Sequence, residues 1–145
     1  MITFYYWYPA SSFAVHVALE ESGLPYEAIC IDPKCERQLA TLREISPRGT
    51  VPAISVDGRA LVENVAIMCY VASRAPDAGL LPEEAMERAQ CLSLVSWGSS
   101  TVHINFRRVY KPEKFTSDAA AFDQIRANGR SDFWRDLELL DRRLR

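Results

Sequence analysis

The stretch Thr50 to Val62, TVPAISVDGRALV, constrains this chain more than any other. It reads as two short apolar runs, AISV and RALV, joined by Asp57-Gly58. That is a hairpin signal, because a two-residue turn needs positive φ and glycine adopts it without steric cost. Pro52 opens the first run. Proline has no N–H to give a β-ladder, so it belongs at a strand start, an edge or a bulge. The hairpin therefore begins abruptly at Pro52, and the backbone just before it is left free for another partner.

The residues before the hairpin read β-α-β-α. Ile2 to Tyr6 is aromatic and β-favouring, and Pro9 follows it. Ala10–Ser12 offers a helix N-cap, since a serine oxygen can accept from free N–H groups. Phe13 to Ser22 is a helix stopped by Gly23-Leu24-Pro25, and Tyr26 to Ile31 alternates as a second strand. Pro33 to about Glu44 is a weakly patterned helix. After the hairpin, Val65, Met68, Cys69 and Ala72 mark a helix from Glu63 to Arg74. Two strands joined through a helix should be parallel with a right-handed crossover. The expectation is a four-stranded mixed sheet with helices on both faces.

Ala75 to Pro82, APDAGLLP, is a linker by composition, and everything beyond it reads helical. A long helix from Glu83 to about Phe106 carries Ala85, Ala89, Leu92 and Val95 down one side, and YKPEKF breaks it. A last helix follows, with Phe133, Leu137, Leu140 and Leu144 in a stripe. The expected organisation is an α/β domain over 1–75, a linker over 76–82 and an all-helical region over 83–145. Two helices leave such stripes short of partners, so that region reads as incomplete.

Bulk properties exclude several function classes. The chain has 145 residues, 48% hydrophobic and 25% charged, with a net charge of −2. That balance points to a globular protein with neither a nucleic-acid nor an anionic-membrane partner. Cys30, Cys35, Cys69 and Cys91 form no C-x-x-C pair and no Cys/His group with metal spacing. They read as reduced, mostly packed thiols of a cytoplasmic protein. No metal is expected.

SPRGTVPAI, then DGRALVENVAIMCYVA, then a linker ending LLP, resembles the cytosolic glutathione transferase family. SSTVHINFRRVYKPEKF further on resembles its bacterial, beta-like members. The resemblance implies a thioredoxin-like N-terminal domain, an all-helical C-terminal domain, glutathione as co-substrate, a small hydrophobic electrophile as second substrate, and a homodimer. It implies a role in detoxification by conjugation. A glutathione-dependent isomerase or dehalogenase, or a non-catalytic glutathione-binding relative, would share the same scaffold.

It also implies a site, residue by residue. Pro52 should be cis, presenting Val51 to the cysteinyl part of glutathione as a short antiparallel strand. Glu63 and Asn64, at a helix start, should hold the γ-glutamyl ammonium and carboxylate. They could equally be a solvated acid and a cap. Lys34 would meet the glycine carboxylate, or remain a surface lysine. Ser11 matches the position that activates the thiol, where beta-like members usually carry cysteine; Ser12 and Tyr6 are alternatives. Lowering a thiol pKa from near 8.5 to about 6.5 takes roughly 2.7 kcal/mol. One hydroxyl bond at a helix N-terminus suffices for that. His103 would face the electrophile, with Asn105, Phe106 and Arg107 nearby. His16 reads as structural.

Overall fold

The computed structural model describes residues 1–145. Its elements are β1 (Ile2–Tyr6), α1 (Ser12–Ser22), β2 (Tyr26–Cys30), α2 (Glu36–Ile45), β3 (Ala53–Val56), β4 (Arg59–Val62), α3 (Asn64–Arg74), α4 (Ala85–Trp97), α5 (His103–Tyr110) and α6 (Phe122–Leu144). They group into two compact units, Met1–Leu92 and Ser93–Arg145.

The first unit is a mixed sheet in the order β2-β1-β3-β4. β1 runs parallel to β2, with Ile2 opposite Tyr26 and Tyr6 opposite Cys30. It runs antiparallel to β3, with Tyr5 opposite Ala53. The hairpin forms as expected, with Asp57 at φ 49° and Gly58 at φ 80°. Two positive φ angles in succession match the turn to the twist of the strands.

Strand alternation sorts the side chains onto two faces. Ile2, Phe4 and Ile54 pack with Val15 and Leu19 of α1 and Ile67 and Val71 of α3. Tyr5 and Ala53 face the other way, onto Ile31 and Leu42 of α2. Helices therefore cover both faces.

Three local details depart from the sequence expectation. α2 begins at Glu36, not Pro33, because Asp32 closes a turn first: its carboxylate accepts from the Lys34 N–H at 2.9 Å and its carbonyl from Cys35 at 3.0 Å. No serine side chain caps α1. That helix opens instead through backbone bonds from Phe13 to the Ala10 carbonyl at 3.2 Å and from Ala14 to Ser11 at 3.3 Å. The cysteines are all free thiols, but none is fully buried and Cys30 is exposed.

The single long helix expected over 83–106 is two helices joined by a π-helical turn, Gly98–Val102. Such a turn inserts a residue into the helical repeat and rotates the helix after it. α5 then runs on to Tyr110, where the approach to Pro112 ends it. Ala85 and Ala89 lie exposed and only Leu92 and Val95 are half-covered.

In the second unit α5 packs on α6 around a glycine. A Cβ on Gly129 would fall 2.7 Å from the Arg108 Cβ and 3.0 Å from the Asn105 carbonyl oxygen. The close approach encloses a polar group: the buried Asn105 amide donates to the buried Asp136 carboxylate at 2.9 Å. Arg108 donates to Asn105 Oδ1 and to Asp132, each at 3.2 Å. Asn105 thus faces α6 as part of the helix contact. No helix is long and apolar enough to cross a membrane.

Gly129→Ala tests this contact. Alanine favours the helix by about 1 kcal/mol over glycine. Forcing a methyl into a close-packed contact costs about 1–3 kcal/mol. The clash is with a Cβ and a carbonyl, neither of which can swing aside, so the variant should melt at lower temperature in circular dichroism.

Candidate functional site

The register of the sheet collects the sequence-predicted residues at one end of it. β1 ends at Tyr6 and leads into the start of α1, which carries Ser11 and Ser12. β2, parallel to β1, ends at the same edge and leads to Lys34. β3 runs the opposite way, so its first residue, Ala53, lies beside Tyr5, and Val51-Pro52 sits just ahead of it. β4 is antiparallel to β3, so Val62 lies opposite Ala53 and delivers Glu63 and Asn64 to the same edge. Ser11, Lys34, Val51, Pro52, Glu63 and Asn64 therefore share one rim of the first unit, and two helix N-termini, those of α1 and α3, open onto it. Helix N-termini offer free N–H groups and the positive end of the dipole.

At this rim the polar groups divide into occupied and free. The Val51–Pro52 peptide is cis, as the resemblance implies, and Tyr8–Pro9 is cis as well. Val51 makes no hydrogen bond within the chain. The loop before it is braced: buried Ser46 accepts from the Thr50 N–H at 3.3 Å, and Gly49, at φ 60°, donates to the Ser46 carbonyl at 2.7 Å. Val51 itself packs with Trp7 against the α2-side core. Lys34 is exposed and forms no ion pair.

The three thiol-activating candidates are separated by their surroundings. Ser12 is 1% exposed, and its hydroxyl donates to the Trp7 carbonyl at 3.3 Å. Tyr6 stacks on Phe4 with ring centroids 5.5 Å apart and tilts against His16 at 5.2 Å. His16 is thereby enclosed by Phe4, Tyr6 and Tyr26, consistent with a structural role. Ser11 is half-buried and its side chain caps nothing.

Glu63 is the least expected feature. It is the residue before α3, exposed, at φ 74° and ψ 124°, a region that side chains avoid. Such a conformation costs about 1–3 kcal/mol and persists where the surrounding structure imposes it. Next to it, Asn64 Oδ1 is buried with no hydrogen-bond partner. Neither residue caps the helix through its side chain. Sequence reasoning missed the strain at Glu63 and the brace from Ser46 to Thr50. The S-P-R-G turn signal hinted only at the second.

The second unit carries His103 at the first turn of α5, directly after the π-helical turn. Its imidazole is half-buried and stacks 6.5 Å from Phe106. Burial pushes its pKa below the ordinary value, and the Arg107 guanidinium pushes the same way. Nowhere do three or more His, Cys, Asp or Glu side chains converge as they would around a metal.

A thioredoxin-like mixed sheet with a cis-proline at its rim, followed by helices, is the architecture by which this chain resembles solved glutathione transferases. Residues 10–74 match the family model for the glutathione S-transferase N-terminal domain. The chain is 30% identical to a beta-class glutathione S-transferase of Sphingomonas chungbukensis, with a TM-score of 0.80, over 98% of this chain and 69% of that one. It is 27% identical to a glutathione transferase homologue from Sulfitobacter solved with bound glutathione, with a TM-score of 0.88, over 97% of this chain and 68% of that one. It is also 32% identical, over 105 residues, to a probable maleylacetoacetate isomerase of Caenorhabditis elegans, covering 70% of this chain and 49% of that protein. Glutathione S-transferase GstA of Escherichia coli O157:H7 matches at 31% over 109 residues, 72% of this chain and 54% of that protein. The chain belongs to the glutathione S-transferase family. It spans about half the length of the curated relatives it matches.

His103 contributes a pH dependence to the stability of the second unit. Its folded pKa lies below the unfolded value of about 6.5, so the unfolded chain takes the proton first as pH falls. Stability is complete above that value and is lost as pH falls through it towards the folded pKa. His103→Gln should flatten this part of the denaturation-midpoint profile. Arg107→Met should raise the His103 midpoint in an NMR titration.

Proposed function

We propose that this chain is the glutathione-binding and electrophile-facing part of a glutathione S-transferase that conjugates the glutathione thiolate to electrophilic carbon. The observation carrying this reading is the rim itself, where an uncommitted serine hydroxyl, an unpaired Val51 backbone and a strained acidic residue meet two helix N-termini. Glutathione needs complementary groups at each of its parts. The Val51 N–H and C=O pair with its cysteinyl backbone as an added strand. Glu63 takes the γ-glutamyl ammonium. The Asn64 amide nitrogen and the N-terminus of α3 donate to the γ-glutamyl carboxylate. Lys34 takes the glycine carboxylate.

Ser11 then donates to the thiolate, helped by the α1 dipole, and the thiol proton passes to solvent. Pro52 holds Val51 in place, Tyr6 supports the strand end, and His103 serves the electrophile. In this reading residues 1–75 bind glutathione, 76–82 link, and 83–145 begin the helical domain. The protein works as a cytoplasmic homodimer in detoxification.

A second reading is a glutathione-dependent isomerase, favoured by the relatives from Caenorhabditis elegans, Drosophila melanogaster and Ralstonia that carry isomerase names. The same thiolate would add to a double bond and leave again after rotation. Conjugation consumes glutathione one for one with product, and isomerisation consumes none. Following free thiol during turnover separates the two.

Ser11→Ala removes a hydrogen bond to the charged form of the thiol. A bond to a charged group is worth about 1.5–3 kcal/mol, and each pKa unit about 1.4 kcal/mol. The bound thiol should therefore titrate one to two units higher in thiolate absorbance, with activity near neutral pH falling about tenfold to a hundredfold and partly recovering at higher pH. An unshifted curve would remove Ser11 from the mechanism. Glu63→Gln keeps the shape and removes the charge. It should weaken glutathione binding by about 1–3 kcal/mol in calorimetry with little change in melting temperature; equal affinity in both proteins would count against the assignment.

A further inference from the structure

One face of α6 lines an open cleft of about 460 Å³ within the second unit, a volume in the range of small-molecule sites. Ile125, Asn128, Asp132 and Arg135 stand at i, i+3, i+7 and i+10, so they share that face, with Ser131 beside Asp132. The facing wall is Arg108, near the end of α5, and Phe115, which follows the turn Pro112–Lys114. Pro112 is buried and anchors that turn. The Arg108 guanidinium carbon lies 6.0 Å from the Phe115 ring centroid, a cation–π distance.

The hydrogen bonds inside the cleft spend its acceptors and leave its donors. Asp132 is the only acid in the wall. Its Oδ2 accepts from Arg108 at 3.2 Å and its Oδ1 from Arg135 at 3.1 Å. The Ser131 oxygen accepts from Arg135 at 3.4 Å, and the Asn128 carbonyl oxygen accepts from Gln124 at 2.8 Å. The Ser131 O–H, the Asn128 amide N–H groups and the remaining N–H groups of both guanidiniums have no acceptor. Two guanidiniums against one carboxylate also leave the wall with a surplus positive charge. Its surroundings have the same sign: residues 93–145 carry ten Lys and Arg against seven Asp and Glu, although the whole chain has a net charge of −2.

We propose that this cleft binds a small phosphate monoester with a flat apolar body. The phosphate meets Arg108, Arg135, Asn128 and Ser131, and the body lies against Phe115 and Ile125. A wall with spare donors and spare positive charge fits a group that only accepts. A phosphate monoester offers three terminal oxygens to donors arriving from two helices, where a planar carboxylate offers two. Asp132 pairs with both guanidiniums and so fixes them before the ligand arrives, which lowers the cost of ordering them on binding. The cleft shares no residue with the rim of the first unit, and the proposal does not depend on the glutathione reaction.

The test is calorimetry on the full chain with phenyl phosphate at about pH 8, where the ester carries close to two negative charges. Saturable one-to-one binding is expected. Arg135→Met should weaken it about tenfold or more, the loss of a charge-assisted bond, and Arg135→Lys should retain part of it. The Arg135 side chain is 70% exposed, so the melting temperature should change little in either variant. The Nε–H resonances of Arg108 and Arg135 should shift on titration. Benzoate should bind more weakly than phenyl phosphate, and equal affinity would overturn the choice of phosphate. Inorganic phosphate should also bind more weakly, and equal affinity would overturn the apolar body. Ser11→Ala should leave phenyl phosphate binding unchanged; a loss there would put the anion at the start of α1 and overturn the cleft. No saturable binding, or an affinity indifferent to Arg135→Met, would overturn the proposal as a whole.

Discussion

The pairing of β1 with both its neighbours is the constraint on which the candidate site depends. β1 is hydrogen-bonded on one side to a parallel strand and on the other to an antiparallel one. A parallel neighbour ends where β1 ends, whereas an antiparallel neighbour begins there. The rim therefore receives the exits of β1, β2 and β4 and the entrance of β3. Slipping β3 by one residue would turn Ile54 from the α1 and α3 core to the α2 side and move Val51 with it. Phe4 and Ile54, both fully buried, hold that register.

The rim is built mainly of backbone groups and helix termini, with few committed side chains. That suits a peptide ligand with charges at both ends. In the proposed reading, main-chain groups would supply a strand-like partner, and dipoles would supply charge without long flexible side chains to order. The strain at Glu63 fits the same logic. A residue held at φ 74° in front of α3 is strained, and its exposed position spares the core any packing cost.

The second unit uses a different device. Short α5 and long α6 meet at Gly129, and beside it an amide, two carboxylates and a guanidinium satisfy one another. A buried carboxylate such as Asp136 is tolerated only with a good donor, and Asn105 provides one. By absorbing Asn105 and Arg108, and by setting Phe106 against Phe133, this contact commits one side of α5 to α6. The π-helical turn before His103 sets the rotation of that helix.

Much of the first unit was legible in the sequence because its signals are local. Asp57-Gly58 with flanking apolar runs names a hairpin, Gly23 followed by Leu24-Pro25 names a helix stop, and alternation in Tyr26–Ile31 names a strand. The family resemblance carried by Val51-Pro52 and Glu63-Asn64 pointed to this rim as a candidate site. Tertiary structure decided what depends on neighbours distant in the chain. Ser12 lost its freedom to the Trp7 carbonyl, while Ser11 kept it. Tyr6 was drawn into a ring stack by His16 and Phe4. Asn105 turned from the expected substrate side to α6 because Asp136, thirty-one positions away, needed a donor. Local sequence encodes which backbone conformations are cheap. Which polar group is left free is settled only when every other buried group has found its partner.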